Sequence, residues 1–225
     1  MMDRKYIKVG GSLMNSLTQL SSLLKKLVEV FGPGVVLNVG SGRLGDNYKR
    51  WIYKENSSEF SRKVTLENWS IVQMINSNII CSLNSDYVLC FSEEEVEHAH
   101  LNGKVAVLNP MAFHRELNDL DIFTCDLKAV YLSHKFCCRK LFIFTDVDGL
   151  YTEDPKIDSS ARKIRSIKAS ALKYLTSKCL DDKIEIYLKK YQCGCHIIGV
   201  SEFLSSKNLR YDSGLEKLGT IVSCD

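Results

Sequence analysis

Residues 140–156 read Lys140-Leu141-Phe142-Ile143-Phe144-Thr145-Asp146-Val147-Asp148-Gly149-Leu150-Tyr151-Thr152-Glu153-Asp154-Pro155-Lys156. The run from Lys140 to Thr145 is the most apolar strand-like stretch of the chain, and continuous apolar character marks a strand buried on both faces. Its carboxyl end carries two acids, Asp146 and Asp148, then a glycine turn at Gly149, the aromatic Tyr151 and an Asp154-Pro155 break. Ligands of open parallel sheets bind at that end of the strands, so these polar residues lie where a ligand would meet them. As local structure alone, the same residues make a helix-capping turn with an incidental tyrosine. The segment by itself leaves both readings open.

Outward from this strand, the chain alternates apolar strands with amphipathic helices. Tyr6-Ile7-Lys8-Val9 reads as a strand running into Gly10-Gly11. Leu13, Leu17, Leu20, Leu24, Leu27 and Phe31 follow at steps of three and four, the apolar stripe of a helix capped by Ser12 and ended by Gly32-Pro33. A second strand, 35–39, also runs into glycines, at Gly40-Ser41-Gly42. The polar stretch 45–61 predicts a helix followed by a loop. Residues 64–83 predict a helix with Ile71, Ile75 and Ile79 on its apolar face. A strand at 87–91 precedes Ser92 and Glu95, the pattern of a capping box. Further strands are predicted at 104–108, 196–200 and 220–222, and helices at 124–136, 168–175 and 182–191. This alternation predicts an α/β fold, a three-layer α/β/α sandwich whose mostly parallel central sheet has about eight strands and is covered on both faces.

Composition narrows the classes. With 225 residues, 45% of them apolar, the chain can form one large α/β domain. The net charge of +3 comes from mixed signs along the whole length, so no basic face for nucleic acid is expected. There is no apolar run of signal-peptide length, and the longest stretch without a formal charge, 68–85, is broken by Asn68, Asn76, Asn78 and Asn84, so a soluble, cytoplasmic protein with no membrane partner is expected. In that compartment the nine cysteines are expected as free thiols. Cys137-Cys138, Cys193 with Cys195, and His98 with His100 form no four-ligand pattern, so no metal held by the protein itself is expected.

Two strand-to-glycine-to-helix junctions fall within the first 45 residues, Lys8-Val9-Gly10-Gly11-Ser12 and Gly40-Ser41-Gly42. Glycine lets the backbone approach an anion closely, and open amides and the helix dipole favour negative charge there. A lysine at a strand end adds positive charge where a phosphoryl group would sit. Such junctions also serve packing alone, so neither decides the chemistry.

The segment Thr145-Asp146-Val147-Asp148-Gly149-Leu150-Tyr151, continuing to Asp154-Pro155, resembles the nucleotide-binding signature of the amino acid kinase superfamily. That superfamily includes aspartokinases, glutamate 5-kinases, acetylglutamate kinases and hexameric uridylate kinases. Lys8-Val9-Gly10-Gly11-Ser12 is similar to the family's opening Lys-x-Gly-Gly-Ser, Gly40-Ser41-Gly42 stands at its triple glycine, and Gly219-Thr220 is similar to its last strand. The resemblance implies a kinase moving the terminal phosphoryl group of ATP, accompanied by Mg²⁺, onto a small anionic acceptor, in a homo-oligomer. Residues 1–120 would form the acceptor-side lobe and residues 121–225 the ATP-side lobe.

By the same resemblance Lys8 contacts the transferring group, and Gly10, Gly11, Ser12, Gly40, Ser41 and Gly42 cradle phosphates. Asp126, in Thr-Cys-Asp-Leu, orients two lysines, the second being Lys183. Thr145, Asp146, Gly149, Tyr151 and Asp154 surround the nucleotide, with Lys156 reaching its phosphates. Read as local structure, Asp126 is an acid favoured at a helix start, and Lys183 is a solvent lysine beside Asp182 and Glu185. Two departures stand out: Ser41 replaces a family glycine, and no regulatory domain is expected. The compact length resembles short members acting on phosphorylated small molecules, such as the aminomethylfuran-phosphate kinases, while the stretch after Pro155 looks aspartokinase-like or uridylate-kinase-like. The resemblance thus implies an acceptor that is a carboxylate or a phosphate monoester. The alternative is a nucleotide- or anion-binding protein of the same fold without the transfer step. A Rossmann dehydrogenase is less favoured: Gly40-Ser41-Gly42-Arg43-Leu44-Gly45 has the Gly-x-Gly-x-x-Gly spacing, but that match alone is weak, and an acid about 20 residues on, such as Glu59, is too common to strengthen it.

Overall fold

The computed structural model describes residues 4–55, 59–120, 122–138, 140–155, 157–175, 179–211 and 213–224, with side chains outside 52–67. In chain order the elements are β1 (Lys5–Val9), α1 (Leu17–Phe31), β2 (Val35–Val39), α2 (Gly42–Glu55), α3 (Glu59–Leu83), β3 (Tyr87–Cys90), α4 (Glu93–Leu101) and β4 (Val105–Leu108). Then come α5 (His114–Asp119), α6 (Cys125–Lys135), β5 (Lys140–Thr145), β6 (Leu150–Tyr151), β7 (Lys163–Ile164), β8 (Ser166–Lys168), α7 (Ile184–Lys190), β9 (Cys195–Gly199), α8 (Val200–Ser205) and β10 (Thr220–Ser223).

Eight strands form one sheet in the order β3-β4-β2-β1-β5-β9-β10-β8, and β6 with β7 forms a separate hairpin. Every neighbouring pair of the large sheet is parallel except β9 with β10. The first four strands in this order come from the first half of the chain and the last four from the second, and the halves meet where β1 pairs β5.

Alternation along each strand sends neighbouring residues to opposite faces. Ile7, Val9, Leu37, Val39, Phe142 and Phe144 pack with Leu20, Leu24, Leu27 and Phe31 of α1 and Phe203 of α8. Tyr6, Val36, Leu141 and Ile143 pack on the other face with Leu127 and Val130 of α6 and Ile184 and Leu188 of α7. Burying each such side chain stabilises the fold by about 1.5–3 kcal/mol. Three layers result, and the fold is the expected one.

Several local expectations change. Ser16, not Ser12, caps α1, its hydroxyl accepting from the Gln19 amide at 3.3 Å. Ser12 lies in a 3-10 turn, Gly11–Asn15, that begins directly after Gly10. The stretch 169–174 is a 3-10 turn rather than an α-helix. The largest difference is in α3, where Ile71 and Ile75 are exposed while Ser70, Gln73, Asn76 and Ser77 are buried with Ile80. Polar side chains face inward there because they have partners. Asn76 donates to the carbonyls of Gly40 and Ser41 at 2.7 and 3.1 Å, and Ser77 donates to Leu108 O at 3.4 Å. Bonded in this way, buried polar groups cost little. Among the described residues no helix is long and apolar enough to cross a membrane, and all nine cysteines are free thiols.

Candidate active site

At the carboxyl ends of β1, β2 and β5 the polar residues converge. Lys8 shares its face of β1 with core residue Tyr6 and lies in register with Asn38 of β2 and Ile143 of β5. Asp126 reaches it from the first turn of α6, where Thr124 caps the helix and the dipole favours an acid. Lys8 Nζ and Asp126 Oδ1 are 2.9 Å apart, with side chains only 10% and 13% exposed. Burial alone pulls the Lys8 pKa down. The Asp126 carboxylate, helped by the thiols of Cys125 and Cys179, outweighs it, so Lys8 titrates above an ordinary lysine and stays charged. The other Asp126 oxygen accepts the Asp181 amide at 3.0 Å.

Lys183 is not brought to Asp126. It stands exposed as the N-cap of α7, its amide donating to Asp181 Oδ1 at 2.8 Å, and its ammonium makes no ion pair with Asp126. Asp126 thus holds one lysine here, with Asp181 bound where a second was expected.

The two glycine turns pack backbone against backbone. A Cβ on Gly11 would lie 2.2 Å from Gly42 N, and one on Gly40 would lie 2.5 Å from Gly11 N. No side chain fits between them, so these glycines are required by packing whatever they bind. The amides of Gly10 and Gly40 are already used, donating to Phe144 O at 2.7 Å and to Val9 O at 2.8 Å, because the sheet ladder continues through both residues. The amides that helix geometry leaves open are those of the following turns, beginning at Gly11 and Gly42. Ser41 is accommodated: a Cβ on Gly45 would come within 2.4 Å of the Ser41 side chain, so Gly45 supplies the room that Ser41 takes.

The acidic turn after β5 joins these elements. Asp146 Oδ1 accepts from Ser12 Oγ at 2.8 Å and from Thr145 Oγ1 at 3.1 Å, tying the first glycine turn to the end of β5. Gly149 has φ of 139°, a backbone state open to glycine, and a Cβ there would meet Thr220 Oγ1 at 2.7 Å. Tyr151 donates its hydroxyl to Asp148 Oδ1 at 2.8 Å, and Lys163 bridges Asp148 Oδ2 at 3.2 Å and Glu202 Oε2 at 2.9 Å. Glu202 also accepts the Gly219 amide at 3.0 Å, which fastens the turn to the closing Gly219-Thr220. Burial raises the Asp148 pKa, but the bonds from Tyr151 and Lys163 prevail and hold it below the usual carboxylate range. Asp154 closes the turn, its carbonyl accepting the amides of Ile157 and Asp158. Lys156 lies outside the described residues.

Sequence reasoning missed Lys128, two residues after Asp126 in α6. Its ammonium is buried between Ser70 Oγ at 3.2 Å and Gln73 Oε1 at 3.0 Å of α3, and burial lowers its pKa. It missed Asn38 as well, whose buried Oδ1 has no partner among the described residues. The signal was present for both, a lysine on the inward side of an amphipathic helix and an asparagine inside the apolar run Val35-Val36-Leu37-Asn38-Val39. Lys163 and Glu202 carried no signal, since single charged residues are common.

Backbone amides and a fixed cation at the carboxyl ends of a parallel sheet mark a domain of the small-molecule kinase class, which works by positioning and charge. Residues 3–198 match the amino acid kinase family, and the chain belongs to that family, as an ATP-dependent kinase. It is 24% identical over 228 residues to [5-(aminomethyl)furan-3-yl]methyl phosphate kinase of Methanocaldococcus jannaschii, covering 94% of this chain and 99% of that protein. It is 25% identical over 199 residues to an aspartokinase of Helicobacter pylori, with 76% of this chain and 49% of that protein covered, so it spans about half that relative's length. The crystal structure of UMP kinase from Bacillus anthracis superposes with a TM-score of 0.73 at 16% identity, over 98% of this chain and 96% of that one, a likeness of fold.

Proposed function

We propose that the chain transfers the γ-phosphoryl group of ATP to an oxygen of a small phosphate monoester. The observation that carries this reading is the buried Lys8–Asp126 pair beside the packed glycine turns, a cation fixed where charge spreads over the transferring group. The attacking oxygen belongs to the acceptor itself. Its bond to the γ-phosphorus forms as the bond to ADP breaks, with no covalent enzyme intermediate.

Residues 1–120 form the acceptor side and residues 121–225 the ATP side, meeting at β1 and β5. Asp126 positions Lys8, and Lys183, exposed at the head of α7, supplies charge from the nucleotide side. The open amides after Gly10 and Gly40, with Ser12 and Ser41, hold phosphates. Thr145, Asp146, Gly149, Tyr151, Asp154 and Lys156 surround the nucleotide. Among the described residues no three His, Cys, Asp or Glu gather as a metal cage; Mg²⁺ would enter on the nucleotide phosphates. Mg²⁺ bound there would supply neutralisation between phosphate oxygens. The working form is a homo-oligomer in the cytoplasm.

A phosphate monoester is favoured over a carboxylate by the relative that matches end to end, a kinase of such a monoester by its name, whereas the aspartokinase matches over about half its length. Asn38, in register with Lys8 and with an unpartnered oxygen, offers an acceptor for a donor group on the substrate. The test is ADP release from Mg-ATP with [5-(aminomethyl)furan-3-yl]methyl phosphate, UMP and aspartate, each alone. Turnover with one of the phosphates and none with aspartate is expected. Turnover with aspartate alone would reverse the assignment of the acceptor.

A further inference from the structure

At the end of the sheet opposite Lys8, a cavity of about 400 Å³ opens at the first residues of β5 and β9 and the last residues of β10. The same strands reach the Lys8 end only at Thr145 and Gly199, so this cavity is no part of the site above. Its size is that of pockets that take small organic ligands. Phe142 and His196 line it with ring centroids 5.8 Å apart, and Tyr211 adds a third ring 6.1 Å from Phe142. Burial lowers the His196 pKa and keeps the ring neutral. Its Nε2–H donates to Leu218 O at 2.7 Å, which leaves Nδ1 as an acceptor in the wall.

Two opposite charges share this lining, Lys140 and Glu216. Both act on the His196 ring, in opposite senses, so both are near it. Yet they do not pair with each other, and among the described residues Lys140 forms no ion pair at all. Its ammonium lies instead 5.3 Å from the Tyr211 ring centre. Glu216 gives Oε2 to the Gly214 amide at 2.9 Å and keeps Oε1. A positive and a negative group held apart on the wall of a ring-lined cavity are complementary to a ligand carrying both charges on an apolar body.

We propose that this cavity binds a small zwitterion of the apolar or aromatic α-amino acid class. The carboxylate meets Lys140, the ammonium meets Glu216, and the side chain lies against Phe142 and Tyr211. This site does not depend on which acceptor the kinase uses, nor on the roles given to Lys8 and Asp126.

The experiment is calorimetric titration of the full chain with L-phenylalanine, L-leucine and L-tryptophan. Phenethylamine and 3-phenylpropanoate, each lacking one of the two charges, are titrated in parallel. At least one amino acid is expected to bind, with the single-charge compounds weaker by about tenfold or more, as loss of one charged hydrogen bond implies. Lys140→Met, at an exposed strand end, should weaken the amino acid by a similar factor. Ser223→Trp, at an exposed position on the rim, should abolish binding by filling the mouth. Thermal unfolding of both variants, with and without Mg-ATP, shows that each is folded and still takes nucleotide. No heat from any of the three amino acids at millimolar concentration overturns the proposal. Equal affinity for either single-charge compound, or binding unchanged in Lys140→Met, overturns it too.

Discussion

Replacing Lys8 with methionine removes the ammonium and keeps most of the side-chain volume, so its effects come from charge. Two unit charges 2.9 Å apart attract by about 6 kcal/mol at an effective dielectric of about 20. Much of that is cancelled by the desolvation both groups suffer, and stripping one partner from a buried pair costs about 3–5 kcal/mol net. Lys8→Met leaves Asp126 buried with only the Asp181 amide. At about 2–4 °C per kcal/mol for a chain of this size, the melting temperature should fall by about 6–20 °C. Asp126→Asn strands the Lys8 ammonium instead, yet keeps an oxygen for the Asp181 amide. The double variant, with no charge left to strand, should recover most of that stability. Activity should behave differently: both single variants and the double should lose about a thousandfold or more in kcat/KM, some 4 kcal/mol of transition-state stabilisation. The assay is thermal unfolding of all four proteins, followed by ADP release on fresh samples of each. Turnover of Lys8→Met within tenfold of the parent refutes the assignment of Lys8. A double variant no more stable than the singles refutes the interaction itself.

Gly11→Ala would place a methyl group 2.2 Å from Gly42 N, and overpacking against backbone should cost at least about 1–3 kcal/mol, read as a lower denaturation midpoint. Lys183→Ala, at an exposed position, should change stability by less than about 0.5 kcal/mol while lowering kcat; an unaltered kcat removes Lys183 from the mechanism. Lys163→Met frees Asp148 and Glu202 from their shared cation, so the KM for ATP should rise several-fold with kcat little changed; a lower kcat at constant KM contradicts a role in nucleotide binding. His100 and His196 both have pKa values lowered by burial below the ordinary 6.5. The unfolded chain therefore binds protons that the folded chain refuses, so their contribution to stability is complete above about pH 6.5 and declines as pH falls towards their folded values. Denaturant unfolding should show that decline, and a midpoint constant from about pH 7.5 to 5.5 would count against both histidines being held neutral.

The fold was legible because its strands are short apolar runs and its helices carry clean apolar stripes, as in Leu20, Leu24, Leu27 and Phe31. Where that rule failed, hydrogen bonds decided instead. Helix α3 shows Ile71 and Ile75 to the outside and buries Ser70, Gln73, Asn76 and Ser77. A pattern of apolar spacing has no means of anticipating that Gly40 O, Ser41 O and the Lys128 ammonium await those side chains. The same blindness explains the site. Lys8 and Asp126, 118 positions apart by subtraction, were each marked by their local setting, and the structure brings them into contact. Lys163 and Glu202 had no such setting. A glycine motif shows where the chain can bend, not whether the sheet ladder has already taken its N–H groups, as it has at Gly10 and Gly40.

Three lysines near the site sit in different environments, and the differences constrain how it can handle anions. Lys8 is charged, but Asp126 lies against it, so the pair together carries almost no net charge. Lys128 has only neutral partners, Ser70 and Gln73, which hold its ammonium inside the protein, and burial lowers its pKa. Lys183 is the exposed one. Bringing a triphosphate and an anionic acceptor together needs cation beyond what the buried pair provides, since like charges repel steeply once water is excluded. On this reading the deficit falls to Lys183, to the amides opening the turns at Gly11 and Gly42, and to the ion carried by ATP. The buried pair fixes where the phosphoryl group sits, and the charge that pulls two anions together is supplied from groups that can move or arrive with the substrate.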